Sequence, residues 1–237
     1  MSVILALETA TSCCSVALRI GGDVVQRSEI GNNIHSKVLL GMVESLLLEA
    51  SITAQNIEAV AVGQGPGSFT GLRIGVGVGQ GLAFGANCPM IGVSSLDALA
   101  LQAQRSGPVI SAIDARMGEV YWAEYQKNKS DISRIGELRV TPPTDVSISV
   151  KNELDENVSL VGNAWAVYER EFESLVNVST THEEGAVFPD AGALLILAER
   201  RFAAREWVSA IDFAPIYVRD DVAKKSTKKL PGRRLLD

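Results

Sequence analysis

Residues 60–86, VAVGQGPGSFTGLRIGVGVGQGLAFGA, constrain this chain more than any other stretch. Val60 to Val62 are small, β-prone and apolar, which suits a buried strand. Gly63-Gln64-Gly65-Pro66-Gly67 stops that strand, because glycine allows positive φ and proline fixes its own. Ser68 or Thr70 can cap the helix that follows. Inside that helix Gly71, Gly75 and Gly79 form one row, and Gly77, Gly81 and Gly85 a second. Spacing four places each row along one helix face. A helical glycine costs about 1 kcal/mol relative to alanine, so six of them require another group to come very close. That group is a phosphate at the helix N-terminus, a second helix, or the chain's own sheet. Gly-Lys-Ser/Thr is absent, so the turn is not a P-loop. It is not Gly-x-Gly-x-x-Gly either, so the dinucleotide fingerprint fails.

The 237 residues suffice for one large domain or two small ones, and 46% are hydrophobic, enough for a proper core. No run of eighteen apolar residues predicts a membrane span, and no basic segment precedes the first apolar stretch as in a signal peptide. Cys13 and Cys14 are adjacent and Cys88 is distant, which is neither a disulfide framework nor a metal spacing. Reduced, buried thiols in a cytoplasmic protein are the expectation. The net charge of −6 is uneven. Residues 224–234, KKSTKKLPGRR, hold six basic residues and no acid; without them and Asp237 the rest carries −11. So acidic a body should not grip nucleic acid. The basic run is either a solvated terminus or a nucleic-acid contact.

Along the chain, strands are expected at 3–8, 15–20 and 24–30, with a hairpin at Gly21-Gly22-Asp23. A helix follows from Ser36 to Ala50. Its apolar residues Leu39, Leu40, Met42, Val43, Leu46, Leu47 and Ala50 span roughly 160°, wider than one sheet contact needs. That face is either a partner surface or deep core. After the Gly-rich unit come a strand at 89–93 and a helix at 95–104. Arg105-Ser106-Gly107-Pro108 divides a first half, 1–105, from a second, 106–215, with 216–237 as a basic tail. The second half again opens with three strands, at 109–114, 119–126 and 134–140. Segment 143–150 is short and ambiguous. A strand at 158–161, a helix from Asn163 to about Glu173, a loop at 174–188 and a helix at 191–205 complete it. Two α/β halves that each open β-β-β suit RNase-H-like units with mixed sheets flanked by helices, the plan of the actin/hexokinase/Hsp70 (ASKHA) superfold.

Three segments carry a family resemblance: ILALETATSCCSVAL at 4–18, GPGSFTGLRIG at 65–75 and DARMGEVY at 114–121. They closely resemble the bacterial TsaB (YeaZ) family, whose members act in making threonylcarbamoyladenosine on tRNA. The likeness runs to about Tyr125, thins, and returns at Tyr217-Val218-Arg219. It implies the same superfold. It also implies a non-catalytic subunit that pairs with a metal-bearing paralogue, TsaD, and is joined by an ATPase, TsaE. ATP and metal would then belong to the partners, with no cofactor held here. TsaD carries a His-x-x-x-His pair after its matching Gly-rich helix and strand. The matching positions here are Ser95 and Leu99, neither of which replaces a histidine ligand. The surplus apolar face of the first helix and the glycine rows of the second place that pairing on these two helices, with Leu39, Val43, Leu46 and Leu47 on one and Gly71, Gly75 and Gly79 on the other. Shared surface between paralogues also makes a homodimer the expected state without the partner.

Independent chemistry has thin support. Glu8 and Asp114 end the first strand of each half, where they could hold Mg²⁺ or act as a base in an ATP-dependent kinase or hydrolase. The alternative is that each accepts turn N–H bonds. His35 and His182 are the only histidines, too few for a zinc or iron site. His35 precedes the first helix, where capping or solvation is the ordinary role. Ser68 does not lie in a Gly-x-Ser-x-Gly elbow.

Overall fold

A computed structural model describes residues 2–149, 157–176, 180–183 and 187–219. The first half is a five-stranded sheet. β1 (Val3–Glu8), β2 (Cys13–Ile20) and β3 (Asp23–Ile30) run antiparallel, with Val3 opposite Ile20 and Glu8 opposite Ser15. β4 (Ala59–Gly65) and β5 (Met90–Ser94) add parallel on the other side of β1, giving the order β3-β2-β1-β4-β5. β1 is central, so both its faces are covered, and its residues alternate between two cores. Leu5 and Leu7 face α1 (His35–Glu49) and α2 (Phe69–Ala86). Ile4 and Ala6 face the opposite layer.

That opposite layer holds α3 (Ser95–Leu101) and α6 (Ala191–Ala203). Ala6, Ala17, Ala59 and Ala61 keep the sheet surface low there, and α6 seats Ala191, Leu194, Leu195 and Ala198 on it. α6 comes from the 106–215 stretch but packs on the first sheet, so the division in sequence is not the division in space. α3 is buried at every residue. Its Ala98 and Leu101 join the first half's core, and Leu96, Leu99 and Ala100 join the second's.

The second sheet contains β6 (Gly107–Arg116), β7 (Glu119–Asn128), β8 (Asp131–Thr141), β9 (Val158–Val161) and β10 (Thr180–His182). Its order, β10-β9-β6-β7-β8, repeats that of the first sheet strand for strand. The first three strands are antiparallel neighbours, and β9 joins β6 parallel. This duplicated RNase-H-like arrangement is the ASKHA plan expected from sequence. Two details differ from that expectation. The helix expected from Asn163 to Glu173 is two short pieces, α4 (Ala164–Val167) and α5 (Glu173–Val176). The expected loop 174–188 contains β10. Trp165 packs against Phe172 with ring centroids 4.3 Å apart and planes tilted by 44°, donates its indole N–H to the Val161 carbonyl, and joins the core of this half.

From Arg205 to Arg219 the chain runs back over the first half and across to the second. Val208 bridges Met90, and Phe213 is buried in the α1/α2 core. The Gln80 amide donates to the carbonyls of Ala210 (2.9 Å) and Phe213 (3.0 Å), and that of Gln64 to Ala214 (3.0 Å). Arg219 then pairs with Glu119 on β7. Residues 224–234, the basic run, lie outside the described residues. No helix among the described residues is long and apolar enough to cross a membrane.

Candidate functional site

The two glycine rows of α2 do different things. Gly71, Gly75 and Gly79 face inward. A Cβ on Gly71 would overlap the Thr9 carbonyl oxygen, and one on Gly75 the Thr9 hydroxyl. A Cβ on Gly79 would fall 2.6 Å from Val62 Cγ2. The Thr9 hydroxyl donates to the Gly71 carbonyl at 2.9 Å, a contact that only bare backbone allows. This row is therefore fitted to the chain's own sheet and turn. Gly77, Gly81 and Gly85 have nothing within 4 Å of an added Cβ. Beside them Phe84 is 74% exposed. On α1, Leu40 and Leu48 are exposed and Gly41 is likewise open.

The residues expected to form the partner surface thus lie on the inner side. Leu39, Val43 and Leu46 are buried in the first core, and Leu47 is half-buried against it. The α1 apolar arc is wide because the helix fills the groove between sheet and α2, so most of the arc is core. The outward apolar residues are Leu40 at its edge and Leu48 beyond it. On α2 the outward row is Gly77, Gly81 and Gly85 rather than Gly71, Gly75 and Gly79. Spacing could reveal both rows; only the sheet's position could say which faces in.

A cleft of about 410 Å³ opens between the halves. Its walls are the β1–β2 turn, the starts of α1 and α2, the β6–β7 turn and the strap at 216–219. Glu8 stands behind this cleft and does not line it. Its carboxylate accepts the Ala10 N–H at 2.7 Å and the Ser95 hydroxyl at 2.8 Å. Gly63 leaves the room: a Cβ there would overlap the Glu8 carboxylate. Burial pushes the Glu8 carboxyl up to about 7, against the opposing pull of those hydrogen bonds. Asp114 does line the cleft. It accepts the Arg116 N–H (2.8 Å) and the Tyr168 hydroxyl (2.9 Å), with the Arg116 guanidinium 3.4 Å away. Both acids act as turn acceptors, and they do not converge on one open space. At the positions that match the paralogue's histidines, the Ser95 hydroxyl is engaged by Glu8 and Leu99 is core. Among the described residues no group of three or more His, Cys, Asp or Glu could hold a metal. Burial also pushes the Cys13 and Cys14 thiols up to about 11 and 12.

Several residues in the cleft, and Arg73 beside it, take roles that the sequence did not signal. His35 begins α1 but is neither a cap nor solvated: it is 6% exposed and its Nε2 has no hydrogen-bond partner. Asn163 sits at the N-cap position of α4, yet its amide oxygen accepts the Asp114 N–H at 3.1 Å. Arg73 stacks on Phe69, 3.3 Å from the ring centroid, beside Tyr217 of the strap. Tyr217 and Arg219 arrive from 100 or more residues away, which no local pattern signals.

The chain is 39% identical to the tRNA threonylcarbamoyladenosine biosynthesis protein TsaB of Escherichia coli, over 97% of this chain and 99% of that one. It is 36% identical to the same-named protein of Haemophilus influenzae, over 97% and 98%. The chain belongs to the TsaB family. The solved structure of YeaZ from Pseudomonas aeruginosa, 38% identical, superposes over 92% of this chain and all of that one with a TM-score of 0.82. The family model described as TsaD, tRNA N6-adenosine threonylcarbamoyltransferase, matches residues 27–227. TsaB and TsaD descriptions on one chain fit paralogues that share a scaffold. Within that scaffold the chain has serine and leucine where the resemblance places the paralogue's histidines.

Proposed function

We propose that this protein is a non-catalytic subunit of the tRNA threonylcarbamoylation machinery. It pairs with TsaD, is joined by the ATPase TsaE, and holds TsaD in the shape that transfers the threonylcarbamoyl group. The acceptor is the adenosine beside the anticodon in tRNAs that read ANN codons. Its place is cytoplasmic, with ATP and metal held by the partners.

The observation that carries this reading is the outward face of α1 and α2. Three glycines in the exposed row of α2, with Gly41 of α1, lower helix stability by about 1 kcal/mol each and gain nothing within the chain. They permit a second backbone to lie close, with Leu40, Leu48 and Phe84 as apolar contacts. Two helices from each of two related subunits then make a four-helix interface, and a homodimer uses the same face when TsaD is absent.

The test is tRNA modification by TsaD and TsaE, supplied with ATP and the threonylcarbamoyl adenylate, with and without this protein. This protein alone is assayed for ATP turnover and for transfer. Modification that requires the chain, together with inertness of the chain alone, supports the reading. Turnover by the chain alone that disappears in Glu8→Ala or Asp114→Ala overturns it in favour of an enzyme.

A further inference from the structure

A second cavity, of about 170 Å³, shares no lining residue with the cleft. It lies toward the far end of β7, at Tyr125, whereas the cleft is lined by Tyr121. Arg134 of β8, opposite Tyr125, stands on one wall, and Leu197, Arg200 and Arg201 of α6 stand on the other. The walls belong to different halves, since α6 is seated on the first sheet. Asp97 of α3 is the one acid in the lining, and it already accepts the Tyr125 hydroxyl at 2.9 Å. Arg134 makes no hydrogen bond among the described residues; its Nε stands 3.7 Å from Asp97 Oδ1, and its side chain is 33% exposed. Arg200 donates to the Ser130 carbonyl at 2.8 Å and to Asp131, and Arg201 donates to the Gly92 carbonyl. A guanidinium has five N–H groups, so these bonds orient both arginines and leave most of their donors for something else. Helix capping does not use them. The carbonyls of Arg200, Arg201 and Phe202, at the end of α6, accept the backbone N–H groups of Ala204, Glu206 and Arg205. Even with Asp131 counted, three cations face two acids here, on a body that is otherwise acidic.

We propose that this cavity is a phosphate site, in which the guanidinium groups of Arg134 and Arg200 hold one phosphate group between β8 and α6. Guanidinium forks match the paired oxygens of a phosphate, and charge assistance makes each such bond stronger than a neutral one. Arg201 adds charge to the same wall, and Ile132 and Leu197 give the pocket an apolar side. At 170 Å³ the space suits a phosphate group and few further atoms, below the range of pockets that enclose a whole metabolite. The ligand is therefore inorganic phosphate or the phosphate end of a small ester whose body stays in solvent. Bound there, it ties the first sheet's helix to the second sheet. The site lies within one chain and does not rest on the pairing proposed above.

The test uses the full chain, titrated with inorganic phosphate and with glycerol 3-phosphate, each against chloride of equal ionic strength. The signals followed are the Nε–Hε groups of Arg134 and Arg200 in NMR spectra, with Arg116 in the cleft and Arg27 on β3 as references. Saturable shifts are expected at Arg134 and Arg200 and not at the references. Tighter binding of glycerol 3-phosphate assigns a phosphate ester, and equal or weaker binding assigns the free ion. Arg134→Gln should weaken binding about tenfold or more, and Arg134→Lys, which keeps the charge but not the fork, should fall between it and the parent. The Tm of Arg134→Gln should stay within about 2 °C of the parent, because Asp97 keeps its Tyr125 donor and the lost ion pair is partly exposed. Arg200→Gln, at an exposed position, is the second variant and should weaken binding likewise. The proposal is overturned by shifts that chloride reproduces, by shifts at Arg116 in place of Arg134, by no saturable shift, or by Arg134→Gln and Arg200→Gln variants that bind like the parent.

Discussion

Glu8 shows how one residue sets a local design. A carboxyl with no solvent exposure is tolerated because Ala10 and Ser95 donate to it and Gly63 leaves space for it. Desolvation still wins over those donors, and the group is held at about 7 against an ordinary 4.5. Folding therefore takes up a proton between these two values. The stability contributed by the raised group is fully present below pH 4.5 and is lost as pH rises through 7. A shift of this size corresponds to a few kcal/mol. Glu8→Gln cannot ionise; its amide oxygen can still accept from Ala10, and its NH₂ can donate to a rotated Ser95 hydroxyl. We expect the variant to gain on the parent by about 2–3 kcal/mol between pH 5 and 8, read as the difference in urea-unfolding free energy. A difference that stays flat with pH would show that Glu8 remains charged in the fold. The sequence placed Glu8 at the strand end beside the turn. It could not show that Ser95, 87 residues on, supplies the second donor.

At the scale of elements, α1 and α2 each carry two faces, and substitutions should separate them. Val43→Asp places a charge in the first core and should unfold the chain, at about 3–5 kcal/mol. Leu48→Asp lies on the exposed face and should leave the Tm within about 1 °C while abolishing co-purification with TsaD. The glycines give the matching pair. Gly75→Ala drives a methyl into Thr9 and should destabilise by about 1–3 kcal/mol or more. Gly81→Ala meets nothing and should stabilise the isolated chain by up to about 1 kcal/mol, whereas Gly81→Leu should block pairing without unfolding. Thermal melts of the isolated chain and size-exclusion with TsaD read both outcomes, and a folded, pairing Gly81→Leu would remove the outer row from the interface. Helix period and glycine spacing made these elements legible from sequence, nearly to the residue. Which side faced inward was not legible, because an apolar arc of 160° contains both answers until the sheet is in place.

The whole molecule repeats one five-strand order twice, and that duplication was legible from the two β-β-β openings. The return of α6 to the first sheet and the path of the strap were not, since both rest on contacts spanning more than a hundred residues. Charge is the other property of the whole chain. Apart from residues 224–234 and Asp237 the protein carries −11, so phosphate backbones are repelled by most of its surface. On net charge alone, a tRNA contact of the isolated chain is expected at the six basic residues of that run. Truncation after Ala223 should weaken it and flatten the dependence of log affinity on log salt by up to about 5 if every basic residue meets a phosphate. Folding should be untouched, because the last anchor among the described residues, Arg219 on Glu119, is kept. Fluorescence anisotropy with labelled tRNA across a salt series measures the slope, and thermal melts check the fold. A truncated chain that binds with the same affinity and slope would place the contact on the folded halves, against the sign of their net charge. In the assembled machinery the same truncation should leave TsaD pairing intact, since the outward faces of α1 and α2 are unchanged. Any loss of tRNA modification then measures the contribution of the basic run to tRNA binding alone.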